Sequence, residues 1–258
     1  MSLCILTNTA ALFSPAANSG KFIRVMTLDV DEENNLRLPV LADFSRVYNE
    51  LESDFKGILV LTASEALLPG DETAQLAAHS HGGTSKISVL NSLQIGPGMG
   101  ILAQIAARKA AAGFALKDVE EYIRSIIPGM FTLIYPDRIP VFENGKSRRT
   151  HEATGGLPIF SLEEGQLSAY RKVRSQRHLL EILQEFLGEF EEPQHLAYFH
   201  GKNASLHTRP LREEANELFP GVHFHEIELN PTLTELFGEQ TVGITVLEIP
   251  GENGVLLG

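Results

Sequence analysis

Residues 87–100 read ISVLNSLQIGPGMG, and this stretch decides the fold class. Its first four residues form a short apolar run, typical of a strand buried on both faces. The run ends at Asn91-Ser92, and Gly96-Pro97-Gly98-Met99-Gly100 then opens a long alanine-rich helix that Gly113 stops. A buried strand that turns directly into a helix is the repeating unit of a parallel sheet covered by helices.

The same pattern precedes this stretch along the chain. Apolar runs at 4–7 and 58–62 predict two more buried strands, and looser alternation predicts a third over 22–30. A helix is predicted from an apolar stripe with Asp43 as its N-cap, and the stripe contains Phe44, Val47, Tyr48 and Leu51. Further helices are expected over 74–78 and 119–127. Residues 1 to about 130 therefore predict an α/β parallel sheet.

The second half of the sequence has a different pattern. Residues 157–162 and 167–173 flank Glu163-Glu164-Gly165, which is a hairpin signal. Residues 137–156 are interpreted as loop-rich. Strands are predicted at 131–135, 195–200, 223–229 and 242–248, and helices at 179–187 and 210–219. We expect a two-domain α/β protein, with an N-terminal parallel-sheet α/β domain over 1–150 and a C-terminal α+β domain over 151–258.

Composition and charge exclude several classes of partner. The chain has 258 residues, is 43% hydrophobic and carries a net charge of -12. An acidic surface repels nucleic-acid backbones and anionic lipid head groups, so we expect no nucleic-acid binding. The basic cluster Lys146-Ser147-Arg148-Arg149 is interpreted as a solvated loop, with a docking patch as the alternative.

The sequence indicates a cytoplasmic protein. The single cysteine, Cys4, cannot form an internal disulfide and lies in an apolar run, which favours a buried thiol in a reducing compartment. No apolar stretch reaches about 18 residues, so we expect no membrane insertion. No signal peptide is visible at the N-terminus.

No catalytic or metal-binding motif is present in the sequence. There is no G-x-S-x-G elbow, and the glycine motif before the long helix lacks the lysine of a P-loop and the spacing of a dinucleotide site. That motif is interpreted as helix packing. His79 with His81 and His223 with His225 are two histidine pairs. On a strand, His223 and His225 would share one face and could both touch a metal, but no nearby cysteine completes a tetrahedral set, so the pair is interpreted as part of a solvated sheet face. We expect no enzyme activity, no cofactor and no metal.

Three collinear motifs nevertheless resemble a known family. The first is Val89-Leu90-Asn91-Ser92 followed by Gly98-Met99-Gly100 and a long helix. The second is Leu162 to Leu167 followed by Lys172-Val173-Arg174-Ser175. The third is Pro231, Gly238 and then Val242-Gly243-Ile244 in the last strand. Their order and spacing resemble the DegV family (EDD-fold fatty-acid-binding proteins), and Ile5-Leu6-Thr7-Asn8-Thr9 is similar to that family's first motif.

This resemblance implies two α/β domains with a fatty acid between them, and a binding protein rather than an enzyme. It also implies that a fatty-acid-kinase-like protein is a possible partner. In the family, hydroxyls and a histidine hold the ligand carboxylate. Here the corresponding positions are Leu36 and Arg37, Leu68 or Pro69 in the loop that begins at Ser64, and Leu236. The three polar contacts are therefore missing.

Without these contacts, a lipid head group would need another partner in this chain. A buried carboxylate without donors is unfavourable by several kcal/mol, so Arg37 is proposed as a replacement cation, with an exposed loop arginine as the alternative. The candidate lipid-binding residues are Arg37, Ser64, Leu68, Pro69 and Leu236. Arg174 resembles the arginine at the partner-kinase surface in the family, with an ordinary exposed arginine at a helix start as the alternative. The alternative hypothesis is a degenerate paralogue that has lost the lipid and acts through protein contacts.

Overall fold

The computed structural model of the chain describes residues 2–14, 21–33, 35–148 and 158–249. Its strands are β1 Leu3–Asn8, β2 Ile23–Met26, β3 Gly57–Thr62, β4 Lys86–Asn91, β5 Met130–Tyr135, β6 Val141–Glu143, β7 Lys146–Arg148, β8 Ile159–Glu163, β9 Gln166–Arg171, β10 His195–His200, β11 Phe224–Glu228 and β12 Val242–Leu247. Its helices are α1 Leu41–Glu52, α2 Asp71–His79, α3 Pro97–Ala111, α4 Leu116–Ile126, α5 Gln176–Leu187, α6 Arg209–Leu218 and α7 Pro231–Phe237.

The chain forms two compact units, and the first consists of Met1–Ile127 with Pro140–Arg149. Its main sheet has the strand order β2-β1-β3-β4, and every pairing is parallel, as the sequence predicts. The two central strands, β1 and β3, are buried at every position. Strands buried on both faces need a continuous apolar run, which explains why these runs were visible in the sequence.

Helices complete this unit, and their apolar stripes were predicted correctly. The stripe of α1, for example, is buried, and the hydroxyl of Tyr48 in it donates a hydrogen bond to the Ala74 carbonyl of α2 at 3.1 Å. The prediction that Asp43 is the N-cap of α1 is wrong. Val40 takes that position, and the Asp43 carboxylate lies in the first turn, where it accepts the Val40 N–H at 2.8 Å.

Two local predictions in the first unit need correction. The predicted strand over 22–30 is shorter, because only Ile23–Met26 pairs in the sheet, and Val30 instead forms an isolated bridge with Leu36. Part of the stretch interpreted as loop-rich is a hairpin of β6 and β7. Its turn, Asn144-Gly145, has φ values of 52° and 76°. Leu36 anchors this hairpin, since its N–H donates to the Ser147 hydroxyl at 2.7 Å.

The second unit consists of Pro128–Ile139 and Thr150–Gly258. Its sheet has the order β11-β10-β12-β5-β8-β9 and is mixed, since β10 and β11 run parallel and the other neighbours are antiparallel. The core of this unit joins buried side chains of α5, α6 and the sheet, among them Leu133, Leu183, Tyr198 and Ile244. This is the predicted α+β arrangement.

The second unit also contains α7, which the sequence reading missed. Asn230 caps this helix, because its side-chain oxygen accepts the Leu233 N–H at 3.0 Å, and Pro231 occupies the first helical position. The predicted domain boundary between residues 150 and 151 lies outside the described residues and stays a prediction. Among the described residues, every helix is too short or too polar to cross a lipid bilayer.

Candidate functional site

The carboxyl ends of β1 and β3 are the most favourable place for a ligand in the first unit. After β1 the chain moves to β2 on one side, and after β3 it moves to β4 on the other. Open parallel sheets bind ligands in the crevice where the connections diverge in this way. The residues at this point are Thr7 and Asn8 from β1 and Ser64, which follows β3.

The side-chain hydroxyl of Thr7 lies at this position. Its side chain is 2% exposed, and within the described part of the chain its hydroxyl oxygen has no hydrogen-bond partner. A buried hydroxyl without a partner destabilises a fold by about 1–3 kcal/mol. A ligand atom that accepted a hydrogen bond from this hydroxyl would remove that cost. Thr7 was not among the predicted lipid-binding residues, although a polar residue near the end of an apolar strand is a usable signal.

Neighbouring hydroxyls and amides, in contrast, are engaged within the protein. The Thr62 hydroxyl donates to the Asp71 carboxylate at 2.7 Å, and the Ser92 hydroxyl donates to the Thr62 carbonyl at 2.7 Å. The Asn8 side-chain oxygen accepts the Ala10 N–H at 2.9 Å and closes the turn after β1. These bonds hold the end of β3 against α2 and against the segment that follows β4, and they close the turn after β1.

The loop after β3 holds three of the predicted lipid residues. The buried Ser64 donates its N–H to the Gln94 carbonyl at 2.8 Å, and its own carbonyl accepts the Leu68 N–H at 2.9 Å. Leu68 is buried and Pro69 is half-buried. The Glu65 carboxylate closes the loop by accepting the N–H groups of Gly70 and Asp71 at the start of α2, at 2.9 and 2.8 Å.

The glycine motif before α3 serves helix packing, as the sequence analysis proposed. A side chain on Gly100 is impossible, because a Cβ atom there would lie 1.7 Å from the Leu12 carbonyl oxygen. Leu12 also donates its N–H to the Gly96 carbonyl at 2.9 Å. The motif therefore brings the backbone of α3 against the segment that follows β1.

Arg37 is already paired with two carboxylates. Its guanidinium lies 2.9 Å from Asp29 and 3.2 Å from Asp43, and its side chain is 36% exposed. The hydrogen bond with Asp29, helped by Asp43, raises the pKa of Arg37. A ligand carboxylate would have to displace one of these acids before it could bind the guanidinium.

The basic cluster near residue 146 is part of a strand, which corrects its interpretation as a loop. Lys146 begins β7 and forms an ion pair with Asp31 at 2.9 Å. The hydrogen bond from Lys146 holds the pKa of the Asp31 carboxyl well below its usual range. Arg149, the last residue of the cluster, lies outside the described residues.

The remaining predicted site residues belong to the second unit. Leu236 is buried in α7. Arg174 is exposed between β9 and α5, and its backbone N–H donates to the His178 ring at 3.3 Å. Ser175 caps α5 by accepting the His178 N–H at 3.1 Å. Within the described chain, the Arg174 guanidinium makes no ion pair.

The histidine pair His223 and His225 lies at the start of β11, and Cys4 lies in β1. The rings of His223 and His225 lie 5.9 Å apart, and burial, with the neighbouring His223, lowers the pKa of His225. Among the described residues, no three His, Cys, Asp or Glu side chains lie close enough together to hold a metal ion. Burial raises the pKa of the Cys4 thiol to about 12, so this thiol stays protonated at neutral pH.

Comparison with known proteins identifies relatives over most of the chain. The family model described as "Uncharacterised protein, DegV family" matches residues 26–248. A DegV domain-containing protein of Staphylococcus aureus (strain COL) is 22% identical over 232 residues, which cover 86% of this chain and 81% of the relative.

Solved structures show the same fold. A DegV family protein of Corynebacterium glutamicum has a TM-score of 0.78 at 20% identity, covering 96% of this chain and 98% of the other. A Thermotoga maritima protein described as having a fatty acid binding function has a TM-score of 0.76 at 19% identity, covering 96% and 100%. A DegV family protein of Eubacterium eligens, loaded with heptadecanoic acid, has a TM-score of 0.75 at 14% identity, covering 96% and 100%.

Proposed function

We propose that this chain, which belongs to the DegV family, binds a fatty acid or a related lipid and acts as a carrier rather than a catalyst. The observation that carries this proposal is the likeness over 96% of the chain to proteins described as fatty-acid-binding, one of them loaded with heptadecanoic acid. The protonated Cys4 thiol also supports a role without nucleophilic chemistry, and a free buried cysteine is compatible with the cytoplasm.

The polar head of the lipid is proposed to bind at the carboxyl ends of β1 and β3. The buried Thr7 hydroxyl is the donor that supports this position, because an acceptor on the ligand would remove the free-energy cost of leaving it unpaired. Ser64, Leu68 and Pro69 form the adjoining loop and stay proposed contacts.

Arg37 and Leu236 also stay in the proposed lipid set. Arg37 would contribute after releasing Asp29, which is the more exposed of its two acidic partners. Replacing it tests this role: Arg37→Ala is expected to weaken lipid retention, whereas Arg46→Ala, which removes an exposed ion pair with Glu50 on α1, should leave retention unchanged. Equal retention in both variants would remove Arg37 from the site.

Arg174 is the proposed contact for a protein partner that receives the lipid, of the fatty-acid-kinase type. This proposal is supported by the exposed Arg174 guanidinium, which forms no ion pair in the described chain. The adjacent Ser175 caps α5 and so fixes the start of that helix. A partner surface with a carboxylate would gain a charge-assisted hydrogen bond from it.

Native mass spectrometry of the purified chain, followed by organic extraction and lipid analysis, tests the proposed function. A stoichiometric bound lipid is the expected result, and its chemistry would identify the head group. A bare protein that also takes up no added palmitate would contradict the carrier function. The remaining explanation would then be a scaffold that has kept the fold and acts through protein contacts.

A further inference from the structure

A second concave site lies at the opposite end of the parallel sheet, entirely within the first unit. It is a groove of about 360 Å³ at the amino ends of β1, β3 and β4. Its walls come from the first residues of these strands and from the connection between α3 and α4, with Ser2, Leu3, Lys56, Gly57, Lys86, Ser88, residues 113–117 and Glu120. The volume lies within the range of about 300–1,000 Å³ that is typical of small-molecule sites.

One side of the groove is apolar. Leu3 is buried, Leu116 is half-buried, and the Phe114 ring is 47% exposed, with the Lys109 ammonium 5.0 Å from its ring centroid. Two glycines keep the space open. A Cβ atom on Gly57 would lie 3.2 Å from Leu3, and Gly113 adopts a φ of 87° with no atom within 4 Å of its Cβ position. An apolar body can therefore lie against Phe114 and Leu116.

The other side of the groove is positive, in a chain whose net charge is -12. Lys86 begins β4 opposite Gly57, Lys56 directly precedes Gly57, and the Lys86 N–H donates to the Lys56 carbonyl at 3.0 Å, so both lysines line the groove. Both are exposed, and neither forms an ion pair in the described chain. The first turn of α4 lines the same groove and has no side-chain cap. The first turn of α4 also contains Asp118, so the positive charge on this side comes from the lysines and not from the helix end.

The acidic side chain in the groove does not cancel this charge. Glu120 accepts hydrogen bonds from the Ser88 hydroxyl at 2.5 Å and from Arg124 at 2.8 Å. Burial raises the pKa of Glu120, but these two hydrogen bonds outweigh burial and keep the pKa below its ordinary value. Glu120 is therefore ionised and paired with Arg124, which leaves Lys56 and Lys86 available to a ligand.

We propose that this groove binds a small organic anion, with its carboxylate, sulfonate or phosphate group between Lys56 and Lys86 and its apolar body against Phe114 and Leu116. The charge of the two lysines selects an anion, and the apolar wall selects one that carries a ring or a short alkyl group. The groove is separate from the proposed head-group position, which lies at the carboxyl ends of the same strands. Binding at one site can therefore be shown or refuted without deciding whether the other site binds.

The test uses the full chain and naphthalene-2-sulfonate as the probe, with naphthalene-2-sulfonamide as its neutral counterpart. In ¹H–¹⁵N spectra, the sulfonate should shift the amides of Leu3, Gly57, Gly113 and Leu116. The Kd for the sulfonate should rise about fivefold in the double variant K56Q/K86Q, since each exposed ion pair contributes modestly. The matched control K21Q/K202Q removes two charges from exposed lysines outside the groove and should leave the Kd unchanged.

A second variant tests the apolar contribution to probe binding separately from the contribution of the lysine charges. Phe114→Ala should weaken binding of both the sulfonate and the sulfonamide, because it removes the aromatic wall from an exposed position without disturbing the core. The proposal is overturned by amide shifts that lie elsewhere, by equal affinities for the charged and neutral probes, or by equal losses in K56Q/K86Q and K21Q/K202Q.

Discussion

At the scale of one residue, substitution of Thr7 gives the most direct test of the proposed lipid site. The hydroxyl oxygen of Thr7 is buried and has no hydrogen-bond partner among the described residues. Thr7→Val keeps the shape of the side chain and removes this group, so the free energy of unfolding should rise by about 1 kcal/mol. Urea denaturation of the delipidated protein measures the change.

Thr62→Val is the matched control for this prediction. The Thr62 hydroxyl is also buried but donates to Asp71, so its removal should lower the free energy of unfolding by about 1–3 kcal/mol. If Thr7→Val instead destabilised the lipid-free protein as much as Thr62→Val does, the Thr7 hydroxyl would have an internal partner and could not be a free donor for the ligand.

Cys4 gives a second prediction at the scale of one residue. Burial in β1 raises the pKa of its thiol to about 12, so the thiolate is a negligible fraction between pH 6 and pH 9. Reaction with Ellman's reagent at pH 8 should be slow in the native protein and rapid in 6 M guanidinium chloride. A full equivalent of fast-reacting thiol in the native protein would show that β1 opens readily.

The sequence predicts the environment of a residue only where that environment is set by its neighbours along the chain. Burial of Cys4 was predictable because an apolar run surrounds it. The ion pairs of Arg37 were not, because the bridge between Val30 and Leu36 brings Asp29 to it and the start of α1 brings Asp43. The unpaired state of Thr7 is likewise a property of packing, which no local pattern contains.

At the scale of elements, the β6–β7 hairpin was missed although its turn signal is present. Asn-Gly is the strongest short sequence signal for a two-residue hairpin turn, and Asn144-Gly145 has the positive φ values that this turn requires. Its strands have only three residues each, which is too short for alternation to be visible. The helix α7 was also missed, because seven residues are too few for an apolar period to be visible, although Asn230 caps the helix.

Gly145 allows the hairpin to be tested directly. Gly145→Ala forces an alanine into the left-handed region and should destabilise the first unit by about 1 kcal/mol. Gly82→Ala is the control, because no atom lies within 4 Å of its Cβ position and its φ is outside that region. Hydrogen exchange at the Ser147 amide, which donates to the Leu36 carbonyl, should accelerate only in Gly145→Ala.

At the scale of the whole molecule, the sequence predicted the two architectures well, since each follows from element order. Strands that alternate with helices gave the parallel sheet, and hairpins followed by helices gave the mixed sheet. Strand order was not predictable in the second unit, because β5 comes early in the chain and yet pairs with β12, the last strand. Such long-range pairing depends on how the whole sheet buries its apolar face.

Lipid binding should be visible as a change in the stability of the whole molecule. A ligand that binds only the folded state at 100 times its Kd stabilises it by about 2.7 kcal/mol. For a chain of this length, that corresponds to a rise in Tm of roughly 5–10 °C. Palmitate added to the delipidated protein should produce this rise in differential scanning calorimetry. Thr7→Val should lose about half of the gain, since loss of one ligand hydrogen bond raises the Kd about tenfold.

The K56Q/K86Q variant shows whether the two sites are separate. Its lysines lie at the amino ends of the strands, away from Thr7 and Ser64, so palmitate should raise its Tm as much as in the unmodified chain. If palmitate gave no rise in either protein, but naphthalene-2-sulfonate still shifted the groove amides, the lipid-carrier function would fail and the anion site would stand. If the lysine substitutions abolished the palmitate effect, the fatty acid would bind in the groove, and the head-group position at Thr7 would be wrong.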